Sequence, residues 1–496
     1  MRPQFLSFFG AVLLSVLAIG WSANAQQFTV LRAFTNAPDG QSPLAGVILS
    51  GNTLYGATDI GGTNNNGTIF KVNTDGSGYA TLHWFTNFPD GSRPEAPLVL
   101  GGSTLYGTTY VGGTNTADYG AGGTIFKIET NGTGYQVIFR FYAEAYTSLM
   151  GAQPLAGLLL NGDTLYGTTT SGAFGVDAGG GNAIGGTVFS IKTNGSGYTT
   201  LHTFTNIYVL SGSNDVAQPR AGQLVLVGNT LYGATYDGGT NHLGSVFKLN
   251  TDGSKYSLLY SFNSGTAAVT GYNPGGGLVL SNGRLYGTCI NDGAFGGGSG
   301  TVYSIDTNGM GINVLHAFGD VADGFNPRCD LVLNGNTLYG TTYYGGTNNS
   351  DYGTIFSVNT DAGGYQILKS FLSTGTSTNI DGGNPSAGLV LGANTLYGTT
   401  ENVGAKNRGT VFSLSLAQAT SPPTLTAIIL SNKPAILWPA AASSFTLQVT
   451  TNLAPPNWNT FSNGILLATN SNNLLMIGVL VTNPFNPNAS YFRLKQ

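Results

Sequence analysis

An all-β chain, a seven-bladed β-propeller followed by a small C-terminal β-sandwich, is predicted by two observations. Leu-Tyr-Gly occurs seven times, beginning at Leu54, Leu105, Leu165, Leu231, Leu285, Leu338 and Leu396, at spacings of 51, 60, 66, 54, 53 and 58 residues. Three other short, strand-like segments recur with it, and four strands at a period near 50 make one propeller blade.

Each segment has its own signature. The first starts at a proline and runs into an apolar triplet, as in Pro94-Glu95-Ala96-Pro97-Leu98-Val99-Leu100. The second is Thr-Leu-Tyr-Gly-Thr-Thr, as at Thr104–Thr109, and the third Gly-Thr-Ile/Val-Phe, as at Gly67–Phe70. The fourth is Tyr-x-x-Leu-x-x-Phe, as at Tyr79–Phe85. All are rich in β-branched and aromatic residues, which suit a buried pleated surface. The last repeat stops at Phe412-Ser413-Leu414 without a fourth strand, while residues 28–34 supply a spare one. That strand is expected to close the seventh blade and remove an open edge.

Spacing separates the two faces. From the proline to the Leu of Leu-Tyr-Gly the offset is 11 in six copies and 12 in one. From the third-strand Thr or Ser to the fourth-strand Leu or Ile it is 14 in all six complete copies. Gly-Asn and Thr-Asp/Asn-Gly turns supply the positive φ that such tight hairpins need. The second-to-third connection instead runs from 11 to 19 residues, and the fourth-to-first from 9 to 15. Strands in a blade alternate in direction, so all the length variation emerges on one face, the usual place for binding loops on a fixed scaffold.

The four-segment repeat resembles Kelch, but lacks a Gly-Gly doublet closing the second strand and a repeated Trp. It is more similar to the bacterial tandem repeat called GloVer, over residues 28–416. This resemblance implies an exported or surface-attached bacterial protein with a variable C-terminal anchoring or sorting module, and implies no activity.

The two ends agree with export. Residues 1–25 read as a signal peptide, with Arg2, a mostly apolar run Phe8–Ile19 and the small-x-small site Ala23-Asn24-Ala25. The expected location is secreted or cell surface. Residues 26–416 form the propeller and residues 417–424, with Ser421-Pro422-Pro423, a linker. Residues 425–496 give short strands, with Trp438 and Trp458 available for a small sandwich core. The apolar run Leu474–Val481 is too short to span a membrane, so no transmembrane helix is expected in the mature chain. The closing Ser490-Tyr491-Phe492-Arg493-Leu494 resembles the ends of C-terminal β-modules on exported bacterial proteins, which implies sorting or attachment.

Composition narrows the partners. Charged residues are 8% of the chain, against about 25% in ordinary soluble domains. The net charge is −4 and no Lys/Arg stripe is present, which argues against nucleic acid and anionic membrane. Cys289 replaces the last Thr of the fifth Leu-Tyr-Gly-Thr-Thr and Cys329 stands two residues after the sixth proline. In an oxidising compartment they can form a disulfide if their strands, on neighbouring blades, approach closely enough. His83, His202 and His316 share one repeat position on the outermost strands of three blades. They read as exposed rim residues, too far apart to hold one metal. The Thr-Asp/Asn-Gly turns lack the ligand series of a calcium loop, and the Gly-Gly runs lack a following Gly-Lys-Ser/Thr. No metal or cofactor is expected.

The informative positions are those where the repeat breaks on the variable face. Five residues after each motif Leu stand Asp59, Tyr110, Thr170, Tyr236, Ile290, Tyr343 and Glu401. One residue after each proline, near the channel mouth, stand Leu44, Glu95, Leu155, Arg220, Gly275, Arg328 and Ser386. Tyr110, Tyr236 and Tyr343 offer stacking faces, and Asp59, Glu401, Glu95, Arg220 and Arg328 offer hydroxyl partners, a combination that suits sugar. The expected function is a non-catalytic, monomeric binding or surface protein whose partner is carbohydrate or another surface protein. Two alternatives stand beside it. One is a polysaccharide-active enzyme, glycosidase or lyase, using facing carboxylates among Asp59, Glu95 and Glu401. The other is a structural component of the cell surface.

Overall fold

The computed structural model of the chain describes residues 26–416 apart from 36, 114–120, 143–149, 172–184, 205–216, 220–221, 265–269, 292–298, 320, 347–351 and 372–380, and beyond them the backbone of strands between 426 and 495. The expected signal peptide, the linker and Arg220 lie outside the described residues.

Seven antiparallel sheets follow one another along the chain. The first orders Ile48–Ser50, Thr53–Thr58, Thr68–Asn73 and Ala80–Trp84 from inner to outer edge. The next five repeat this plan, and the fifth adds a short strand, Tyr272–Pro274, against Arg284–Asn291. The seventh contains Val390–Gly392, Thr395–Thr400 and Thr410–Ser415, and its outer strand is the N-terminal Phe28–Ala33. Phe28 lies opposite Leu414 and Ala33 opposite Thr410. The result is a seven-bladed propeller.

The cores lie between blades. Tyr55, Ile69 and Phe85 of the first blade pack against Leu98, Leu105 and Phe126 of the second. At the closing seam Tyr397 and Phe34 meet Val47, Leu54 and Phe70. The tyrosine of Leu-Tyr-Gly is therefore seam packing, as its recurrence suggests. The glycine after it is a contact requirement. A Cβ on Gly56, Gly107 or Gly398 would lie 2.6, 2.5 or 2.6 Å from Cζ of the third-strand ring, Phe70, Phe126 or Phe412. The paired threonines join the second and third strands inside the blade, with Thr58 and Thr68 hydroxyls 2.9 Å apart and Thr400 and Thr410 likewise 2.9 Å apart.

The two cysteines are free thiols, so the disulfide is not formed. Cys289 takes the threonine position opposite Thr301 within its own blade. Cys329, on the sixth blade, instead accepts at Sγ from the Thr341 N–H at 3.0 Å on that blade's second strand. Each sulfur is turned toward a partner in its own blade, and burial pushes both thiols up, Cys329 to about 11.

The histidines are not exposed rim residues. His83, His202 and His316 are half-buried, each stacked on a tyrosine of the following blade: Tyr135 at 3.7 Å, Tyr256 at 3.8 Å and Tyr365 at 3.5 Å between ring centres. Phe139 on Tyr198, at 4.2 Å, and Arg32 over Tyr79, at 3.9 Å, repeat the arrangement. The tyrosine hydroxyl then donates to a loop carbonyl, as Tyr135 does to Asp90 at 3.1 Å and Tyr365 to Asp323 at 2.7 Å. Position four of the outer strand is thus a blade-to-blade lock.

The C-terminal segment, described by itself, contains two sheets. Thr426–Leu430, Lys433–Pro439, Leu475–Leu480 and Ile465–Thr469 form one in that order, and Asn459–Thr460, Thr446–Thr450 and Tyr491–Lys495 the other. The side chain of Trp438 and the whole of Trp458 lie outside the described residues. Among the described residues, no helix is long and apolar enough to cross a membrane.

Candidate functional site

The variable-loop face is held by a backbone device repeated around the ring. In six blades the residue before the proline adopts a left-handed conformation, with φ of 52° at Ser42, 59° at Arg93, 55° at Asn326 and 55° at Asn384 among them. Its carbonyl accepts from the residue that leaves the second strand: Asp59 N–H to Ser42 at 3.0 Å, Tyr110 to Arg93 at 2.9 Å, Tyr343 to Asn326 at 3.1 Å and Glu401 to Asn384 at 3.2 Å. Its side chain reaches the preceding blade. Asn384 Nδ2 donates to the Tyr343 carbonyl at 2.9 Å, and Asn273 Nδ2 to the Tyr236 carbonyl at 2.9 Å. The positions where the repeat breaks are thereby fixed on a rigid rim.

In six blades the residue after the proline then turns into the axial channel. An open cavity of about 110 Å³ lies there, lined among others by Leu44, Glu95, Leu155, Arg328, Asp330 and Ser386. Its floor is backbone and small side chains, because the third residue after the proline is Gly in five blades.

Three carboxyl groups and two guanidinium groups meet at this mouth. Arg93 Nε donates to Asp59 Oδ1 at 3.0 Å, and Arg93 Nη2 lies 3.0 Å from Glu95 Oε1 without the alignment of a hydrogen bond. Glu95 and Asp59 are hydrogen-bonded to each other across the seam of blades one and two. Burial, and then the Asp59 charge, raise the Glu95 carboxyl to about 7, so that it is the member holding the proton. Burial also raises Asp59, against the Arg93 hydrogen bond. On blades six and seven Tyr343 donates to Glu401, and burial raises both groups. Arg328 lies over Tyr343, its Cζ 4.1 Å from the ring centre, and Arg93 is 5.6 Å from that of Tyr110.

Of the positions expected from sequence, Asp59, Glu95, Glu401, Tyr110, Tyr343 and Arg328 thus converge through direct contacts or the shared channel. Tyr236 occupies the same rim position on the fourth blade, half-buried, and its carbonyl accepts from Asn273. Sequence reading missed Arg93 and Asp330. Arg93 stands where the other blades have Ser42, Gln153, Gln218, Asn273, Asn326 and Asn384, and Asp330 where five have Gly, so both are charged breaks in a neutral column. Asp330 is engaged: its carboxylate accepts from the Gly277 N–H and is held by the Gln223 backbone as well, which ties the inner strands of blades four to six. Among the described residues no group of three or more His, Cys, Asp or Glu is placed to hold a metal ion.

The fold and rim define a seven-bladed propeller of the tandem-repeat class. The model of the Gloeobacter/Verrucomicrobia repeat matches residues 20–207 and 173–412, and the chain belongs to that family. No curated protein matches its sequence. Solved structures similar in fold include an oligogalacturonate lyase in complex with manganese, 11% identical, with a TM-score of 0.44 over 74% of this chain and 87% of that one. An oligogalacturonate lyase from Vibrio parahaemolyticus is also 11% identical, at TM-score 0.44 over 79% and 94%. A chain of a nidogen/laminin complex is 13% identical, at 0.37 over 66% and 94%. Likenesses this distant carry no statement about activity.

Proposed function

We propose that this is an exported, non-catalytic, monomeric propeller that binds a saccharide at the mouth of its axial channel, on the variable-loop face. The observation that carries the reading is that Glu95 and Arg328 line one open cavity and are backed by Asp59, Tyr343 and Glu401, so that four blades contribute to one charged and aromatic cluster. A pyranose presents apolar C–H faces and a ring of hydroxyls. Aromatic rings take the former, and carboxylates and guanidinium groups the latter. The two C-terminal sheets would stack as a sandwich and serve attachment or sorting at the cell surface.

An enzyme on polysaccharide is the second reading, favoured by the raised Glu95 carboxyl. Its geometry is against that pair. Glycosidase carboxyls stand about 5–5.5 Å or 6.5–9.5 Å apart to admit the sugar or a water, whereas Asp59 and Glu95 bond each other directly. Incubation of the secreted protein with a polysaccharide panel tests both readings. Retention on a polysaccharide without release of reducing or unsaturated ends supports binding. Turnover establishes the enzyme, and self-assembly with no saccharide retained favours a structural component.

A further inference from the structure

We propose that the saccharide is an acidic one, and that the carboxylate of a uronic-acid residue docks on Arg328. The inference rests on the saccharide reading above and names the class of sugar.

Arg32 pairs with Asp39, Arg93 with Asp59 and Glu95, and Arg284 with Asp306. Arg140 donates to the Gly113 carbonyl at 3.0 Å and Arg408 to Gln41. Among the arginines whose side chains are described, Arg328 alone has neither an ion pair within 4.0 Å nor a hydrogen-bond partner on its guanidinium, and its Nε is buried. A buried donor without a partner is costly, and more so when charged.

The neighbouring carboxylates cannot relieve it, because each is already engaged. Glu401 takes hydrogen bonds from Tyr343 and Asn402, Asp330 from the backbone of Gly277 and Gln223, and Asp59 from Arg93 and Glu95. Arg328 is also held in place. Tyr343 lies 4.1 Å and Tyr344 5.9 Å from its Cζ, and the two tyrosine rings stand at 84° to each other. A guanidinium held in place by aromatic rings is a planar fork of donors, and a carboxylate satisfies two of them at once. A neutral sugar hydroxyl satisfies one. Sulfate and phosphate esters would bring a bulkier or more highly charged group beside Asp59, Glu95 and Glu401, so the site favours a single planar carboxylate.

Calorimetric titration of the full chain at low ionic strength tests this with oligosaccharides of galacturonate, glucuronate or mannuronate, their methyl esters, and their carboxyl-reduced neutral counterparts. The acid form of one of them should bind at least tenfold more tightly than its ester. Arg328→Gln should erase that preference, and Arg328→Lys should keep part of it while retaining the wild-type melting temperature. Should Arg328→Gln fold poorly, the loss of the acid preference between low and high salt in the wild type carries the same information. Equal affinity for acid and ester, with binding still abolished by Tyr343→Ala, overturns the carboxylate assignment and leaves the saccharide reading intact. Absence of binding to every member of the panel overturns both.

Discussion

Glu95 donates its carboxyl proton to Asp59 across the seam between the first and second blades, and Arg93 contacts both acids. The native fold thus keeps on Glu95 a proton that the unfolded chain releases near 4.5, holding it to about 7. Between these values the folded state binds more protons, so this group lowers stability as pH rises from about 4.5 to about 7 and has no further effect above. The contribution is on the order of 3 kcal/mol. Glu95→Gln should flatten that limb and melt higher than wild type at pH 8. Melting curves from pH 4 to 8 check it, and an unchanged slope in the variant contradicts the shared proton.

Tyr303 is the only third-strand ring with a hydroxyl; the other six blades carry Phe. That hydroxyl is fully buried without a hydrogen-bond partner. Replacing it by hydrogen removes an unsatisfied polar group, worth about 1 kcal/mol. Tyr303→Phe should therefore stabilise the propeller, read as a higher urea midpoint at unchanged m-value. A destabilised variant would reveal a partner for the hydroxyl.

Closure depends on a strand from the other end of the chain. Phe34 is fully buried in the seam between blades seven and one, its ring 5.1 Å from that of Phe70. Phe34→Ala should cost about 3–5 kcal/mol, and removal of residues 26–35 should leave blade seven with an open edge and an aggregating product. A truncated chain that melts with the full-length protein would show that closure contributes nothing.

The blades were legible in the sequence because each motif residue meets a contact that recurs: Gly56 under Phe70, Thr58 against Thr68, Tyr55 in the seam. The mouth was legible in part, as charged or aromatic breaks at two columns, which found Asp59, Glu95, Arg328, Tyr343 and Glu401. Arg93 was missed because its column turns on a left-handed backbone, a feature that neutral Ser, Gln and Asn disguise as loop polarity. The histidines were misread for a different reason. Their partners, Tyr135, Tyr256 and Tyr365, belong to the next repeat, and periodicity within one blade carries no information about stacking between two.

The same stack gives a separate expectation. His316 lies parallel to Tyr365, with an interplanar angle of 2°, and its Nε2 is 2.9 Å from Asp323. His316→Phe should keep the ring contact, as Phe139 does natively on Tyr198, and cost less than His316→Ala. Equal losses of melting temperature in the two variants would assign the contribution to Asp323 and not to the stack.

The variable-loop face and the tight-hairpin face are the two candidate binding surfaces of the propeller. The most direct measurement is the affinity of a retained polysaccharide for wild type, for the Tyr110→Ala/Tyr343→Ala double variant, and for Asp75→Ala/Asp252→Ala on the tight hairpins of the opposite face. Stacked rings are worth about 1–3 kcal/mol on planar bases and somewhat less on sugar. The mouth variant should bind roughly tenfold more weakly or worse with its fold intact, and the hairpin variant as wild type. Full affinity in the mouth variant, with loss in the hairpin variant, would contradict the account and move the site to the other face.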